Sequence, residues 1–174
     1  GNQAINALGN DLANRLTGNA SSNVLIGMQG ADTLSGGVGN DSLTGGIGND
    51  VYVQHRSDGA DLIIDSDSTL GNVDTLLFDD ASIARDQLWF KQSGTDLTIS
   101  IIGTTDKLTI KDWYSSASNQ LEQIQLRNGN MLQSGQVQAL VAAMATLTPP
   151  SVGQTTLTTA QHGQLDSVIA ASWG

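Results

Sequence analysis

An apolar residue returns at every ninth position through the first third of the chain: Leu16, Leu25, Leu34, Leu43 and Tyr52. A glycine keeps step with it at Gly9, Gly18, Gly27, Gly36 and Gly45. Self-similarity at a fixed period predicts a solenoid rather than a flexible linker, which has no reason to space apolar residues evenly. Each unit divides in two. Its last three residues form a short strand with one side chain facing the core. Its first six are glycine-rich, because the backbone must turn sharply with some positive φ and point carbonyls inward.

Two units complete one turn of a flattened coil, so units two apart stack on the same side. The sixth position reads Asn14, Asn23, Asp32, Asp41, Asp50, and the fourth reads Leu12, Ser21, Gly30, Gly39, Gly48. Asp32 is therefore expected in a row with Asp50, and Asp41 in a row with Asn23. Stacked carboxylates repel unless a cation lies between them. Calcium suits such a site, since it takes several carboxylate and carbonyl oxygens in flexible geometry, whereas magnesium demands a strict octahedron. A phosphate-cradling loop is excluded: no G-x-x-x-x-G-K-[ST] occurs, and no Lys or Arg lies between Arg15 and Arg56.

The tandem nonapeptides from Gly36 to Thr44 and from Gly45 to Val53 both read G-G-x-G-x-D-x-U-x, where U is a large apolar residue. They resemble the calcium-binding repeats of RTX (repeats-in-toxin, hemolysin-type) proteins, which leave Gram-negative bacteria by type I secretion. The resemblance implies a parallel β-roll holding several calcium ions in its turns. By position, the side-chain ligands would be Asp32, Asp41 and Asp50. Carbonyls would come from turns around Gly27, Gly30, Gly36, Gly37, Gly39, Gly45, Gly46 and Gly48. Met28 replaces a consensus glycine, and Asn14 and Asn23 replace aspartates, so ions touching those turns should bind more weakly. Beyond the repeats, Gly59 sits where the next same-side turn is due, eighteen residues along, and Asp58 or Asp61 would close a last site.

The first eight residues read as a capping turn or lead-in strand. Leu62–Ile64, Asp74–Phe78, Leu88–Gln92, Asp96–Ile101, Lys107–Lys111 and Leu121–Leu126 read as strands, several with clean alternation. Asp65 and Asp67 read as solvated loop acids. Residues 74–129 are similar to the β-rich segment that follows RTX repeats, which implies a cap that continues the roll and blocks its open end. Trp89 and Trp113 then belong to the core; the alternative is a carbohydrate groove on an adhesin tip. Ser134 would cap a helix using Val137, Leu140, Val141 and Met144, ended by Pro149 and Pro150. The tail from Thr148 contains no Lys or Arg and one acid, Asp166. It resembles a type I secretion signal recognised by an ABC exporter.

Charge sharpens this picture. The 174-residue chain carries a net charge of −10, which argues against nucleic acid. Eleven aspartates precede residue 81 against Arg15 and Arg56 alone, so without a cation the segment should drift toward disorder. With no cysteine, disulfides and thiolate metal sites are excluded. No apolar run of membrane-spanning length appears, nor a signal peptide, and Gly1 reads as the start of a monomeric fragment of a larger protein. His55 and His162 lie in unrelated contexts, and no G-x-S-x-G or H-E-x-x-H exists. The expectation is a non-enzymatic, all-β calcium-binding module of an extracellular or cell-surface protein. It comprises a roll over 1–61, a β-rich cap over 62–147 ending in a short helix, and a signal tail over 148–174. A calcium-dependent lyase or epimerase subsite is a weaker alternative.

Overall fold

The computed structural model describes residues 3–174, so the first two residues of the expected lead-in strand lie outside the described residues. Two sheets face each other, and successive strands alternate between them. One sheet takes β1 (Ala7–Leu8), β3 (Val24–Gln29), β5 (Ser42–Ile47) and β7 (Ala60–Ile64). The other takes β2 (Arg15–Thr17), β4 (Thr33–Ser35), β6 (Val51–Gln54) and β8 (Thr75–Phe78). Pairing within each of these sets is parallel. Leu16 lies opposite Leu34, Leu34 opposite Tyr52, and Leu25 opposite Leu43, as the nine-residue period requires. Leu25, Leu34, Leu43 and Tyr52 are fully buried and form the floor of the core.

The spacing then stretches while the register holds. Ser42 faces Leu62 and Val51 faces Thr75. The hydrogen-bonded step from Asp41 to Asp61 is 20 residues, and that from Asp50 to Asp74 is 24. Gly59 is consequently bridged to Gly39, not placed by the eighteen-residue count. The turn absorbs its extra residues with Ser57 at φ 71° and Gly59 at φ 106°.

After Phe78 the chain leaves the roll, forms the antiparallel pair β9 (Leu88–Ser93) and β10 (Asp96–Ile101), and returns. β11 (Lys107–Ile110) pairs parallel with β7, and β12 (Gln123–Leu126) pairs parallel with β8, adding one more layer to each sheet. Antiparallel strands then close both edges: β10 beside β11, and β13 (Met131–Gln133) beside β12. The result is a β-solenoid of about 4 turns with two helices after it.

Those helices correct the all-β expectation of one short helix followed by a tail, since 18% of the chain is helical. α1 (Ser134–Met144) begins at Ser134 instead of being capped by it, and Gln136 accepts the Gln133 N–H at 3.2 Å. It buries Val137, Leu140, Val141 and Met144 as the spacing predicts. α2 (Thr159–Ser172) occupies most of the tail and packs on α1. Its start is a reciprocal cap: Gln161 Oε1 accepts the Thr158 N–H at 2.8 Å, and Thr158 Oγ1 accepts the Gln161 N–H at 3.2 Å. Leu165, Ile169 and Trp173 are buried, and Gly174 exchanges two 2.9 Å backbone hydrogen bonds with Met131. Trp89 and Trp113 are only 4% and 2% exposed and belong to the same core, so the carbohydrate-groove expectation loses the stacking surface it needs.

Candidate metal centre

The turns line up along the two edges of the roll. On the first edge a ladder runs from turn to turn. The Asn14 N–H donates to Asp32 Oδ1 at 2.7 Å, Asp32 N–H to Asp50 Oδ1 at 2.8 Å, and Asp50 N–H to Asp74 Oδ1 at 2.8 Å. Asp74 N–H then donates to Glu122 Oε2 at 2.7 Å. On the second edge the Asn23 N–H donates to Asp41 Oδ1 at 2.7 Å, and the Asp41 N–H to Asp61 Oδ1 at 2.8 Å. Of the two candidates for closing that edge, Asp61 takes the row position. Asp58 instead accepts the His55 N–H at 2.7 Å within its own turn.

Each of the three consensus aspartates thus spends one oxygen on the ladder. The other is left over. Oδ2 of Asp32, Asp41 and Asp50 is buried without a hydrogen-bond partner, and the residues are at most 2% exposed. The amide turns differ: Asn14 and Asn23 use their side-chain oxygens to accept the N–H of Asn10 and Asn19 at 2.8 and 2.7 Å. A buried, unpaired carboxylate oxygen is costly, and a cation is what resolves it.

The glycines explain how the oxygens come so close. Gly27, Gly36 and Gly45 lie under the carboxylates of Asp32, Asp41 and Asp50, where any Cβ would overlap Oδ2. Gly30 and Gly48 stack on the first edge, Gly39 and Gly59 on the second. A Cβ on Gly48 would overlap the Gly30 carbonyl oxygen, and one on Gly59 that of Gly39. Gly37 approaches Asn19 O on the second edge, and Gly46 approaches Met28 O on the first. Carboxylates and backbone carbonyls therefore crowd the same edges. This hard, oxygen-only donor set fits calcium.

Comparison with known families agrees. The RTX calcium-binding nonapeptide repeat matches residues 8–43 and 17–52, and the haemolysin-type calcium binding protein related domain matches residues 96–134. The chain carries an RTX calcium-binding β-roll. Among solved structures it is similar to the AlgE6R3 subunit from the Azotobacter vinelandii mannuronan C5-epimerase, at 27% identity and a TM-score of 0.35. That similarity covers 66% of this chain and 77% of that one. The haemolysin-related match runs from β10 through β13, the strands that close the RTX roll.

Three acids on the first edge escape sequence reading. Asp65, expected in solvent, is 3% exposed. Its Oδ1 accepts the Tyr52 hydroxyl at 3.0 Å, while its Oδ2 has no partner. Asp74 and Glu122 extend the ladder from outside the consensus. A signal for two of them exists in the D-x-U half of the repeat. Asp32, Asp41, Asp50, Asp61, Asp74 and Glu122 each precede a core residue by two positions, namely Leu34, Leu43, Tyr52, Ile63, Leu76 and Ile124. Asp67 is half-buried and accepts the Gly48 N–H at 2.9 Å.

Burial also raises the pKa of several of the ladder and turn carboxyls. It pushes Asp50 and Asp74 up to about 7, and Asp61 and Asp65 up to about 6, with neighbouring carboxylates adding to the rise. Asp41 and Asp58 rise for the same first reason. A folded-state pKa above the unfolded value of about 3.9 penalises the charged fold, so the linkage is the reverse of the common carboxylate case. The penalty is present above pH 7, shrinks as pH falls through 7 and 6, and is gone below about 4. Metal-free protein is therefore expected to retain more β signal in chelator at pH 5 than at pH 7.5, read by far-UV circular dichroism. Calcium should bind more weakly at pH 5, because its ligands must be deprotonated.

Proposed function

We propose that this chain is the calcium-triggered folding and export module of a larger secreted protein, and that residues 148–174 carry the signal read by a type I ABC exporter. RTX proteins are typically secreted. The observation that supports the trigger is the set of buried carboxylate oxygens left unpaired in Asp32, Asp41 and Asp50. At low cytosolic calcium these oxygens oppose folding, and the chain stays in the extended form that an exporter can thread. At the calcium levels outside a cell, about 10⁻⁴ to 10⁻³ M for extracellular modules, metal binding energy becomes folding energy. In this reading the module is not itself an enzyme and works on whatever cargo precedes it.

The tail's part in export rests on its composition and resemblance. In the folded molecule its apolar residues Leu165, Ile169 and Trp173 are buried, so recognition would have to precede folding. The test is export of the full chain from cells carrying a type I exporter, beside the same chain lacking residues 148–174 and an unrelated passenger fused to them. Loss of export on deletion, with gain of export by the passenger, is the expected result. A passenger retained in the cell would place the signal elsewhere.

A further inference from the structure

Where the RTX consensus ends, the first edge changes character. Thr44 lies opposite Ile64, so Asp65 follows in the place where the stack would put another first-position glycine. That substitution brings a third carboxylate to a spot that already holds two. Asp50, Asp65 and Asp74 each offer an oxygen, and these oxygens lie within 4.8 Å of one another. All three residues are at most 3% exposed. Oδ2 of Asp50 and Oδ2 of Asp65 have no hydrogen-bond partner, and no ion pair reaches any of the three among the described residues.

The surroundings fix these groups instead of neutralising them. Tyr52 donates to Asp65 Oδ1 at 3.0 Å and itself accepts the Gly45 N–H at 2.9 Å. Asp74 accepts from the Asp50 N–H and from the Asn72 amide, and its own N–H is held by Glu122. Outer partners of this kind orient ligating oxygens around an ion. A buried cluster of three carboxylates with oxygens to spare and no cationic side chain calls for a metal.

We propose that Asp50, Asp65 and Asp74 form a divalent-cation site where the last consensus turn meets the non-consensus chain beyond it, and that it is the tightest site in the molecule. The donors are all oxygen, which selects calcium over zinc or copper. Affinity in such sites follows ligand charge. Each pair of stacked consensus turns supplies at most two row carboxylates, as in Asp32 with Asp50; this site supplies three. It also joins two parts of the chain. Asp50 belongs to the last consensus repeat, while Asp74 is tied through Glu122 to the haemolysin-type-related segment. The identity of the ion rests on the calcium reading of the roll; the existence of the site does not.

The experiment is calcium titration of the full chain by calorimetry, paired with terbium luminescence excited through tyrosine, since the Tyr52 hydroxyl touches the site. Asp65→Asn keeps the size and the Tyr52 contact but removes one charge. It is expected to weaken the tightest class of sites by about tenfold or more and to delay terbium emission to later equivalents. Asp166→Asn, which removes the same charge from the exposed face of α2 outside the roll, should leave that tight class and its emission in place. An unchanged tight class in Asp65→Asn, with calcium still binding, would overturn this site alone. Wild-type chain that takes up neither calcium nor terbium would overturn the calcium-trigger reading as well. Should Asp65→Asn fail to fold, Tyr52→Phe decides: early terbium emission that survives it places the tight ion away from Asp65.

Discussion

In chelator, the far-UV circular dichroism of this protein is expected to lose most of its β signal, and to regain it cooperatively on adding calcium but not magnesium. The expectation follows from particular atoms. Oδ2 of Asp32, Asp41, Asp50 and Asp65 is buried and unpaired. An unsatisfied buried polar group costs about 1–3 kcal/mol, and a charged one more. Four such groups rival the whole stability of a small domain, about 5–15 kcal/mol. Adjacent turns share their ladder hydrogen bonds, so an ion that orders one turn orders the next, which is the source of cooperativity. Magnesium would not rescue the fold, because its short, strictly octahedral coordination does not match a crowded edge of carbonyls. A spectrum unchanged in chelator would make the roll a preformed scaffold and remove the trigger.

Gly46→Ala should be among the most damaging single changes in the roll, at about 2–4 kcal/mol even with calcium saturating. Gly46 holds φ at 116°, and a Cβ there would overlap the Met28 carbonyl oxygen in the turn beneath. Backbone, not a yielding side chain, stands in the way. Met28 occupies the equivalent position one turn earlier, with φ at 89°, in place of the consensus glycine. It is also 43% exposed, so its side chain contributes little burial. Met28→Gly is accordingly expected to relieve left-handed strain and gain up to about 1 kcal/mol, less whatever glycine adds to the unfolded chain's freedom. Denaturant unfolding of the two variants beside the parent protein measures both signs. Equal stability of Gly46→Ala and the parent would mean that the turns are loose enough to separate.

The roll was legible because a solenoid is built from local units. Leu25, Leu34, Leu43 and Tyr52 each report the same environment, so a one-dimensional period suffices to stack them. The same logic placed Asp32 over Asp50 without a structure. Legibility failed where the chain stopped counting in nines. The wider steps to Asp61 and Asp74 hide the continuation of the rows, and Glu122 lies beyond the whole β9–β10 excursion. Asp65 was misread for a physical reason: a polar stretch with Asp67, Ser68 and Thr69 looks solvated, and only the Tyr52 hydroxyl, thirteen residues earlier, reveals that it turns inward. The docked tail was missed because Leu165, Val168 and Ile169 offer a narrow apolar face. The partner surface on α1 comes from residues more than twenty positions earlier.

The stretched steps along the two edges bear on how this molecule tolerates change. Thr75 still meets Val51, and Leu62 still meets Ser42, although the intervening turns differ in length. The strands therefore act as a fixed lattice, and length variation is confined to the rims. Leu70, fully exposed in the longest of these turns, marks the outermost such point. A foreign peptide spliced between Leu70 and Gly71 would be displayed at the rim while the lattice keeps its pairing, which makes this turn a natural graft point for engineering the scaffold.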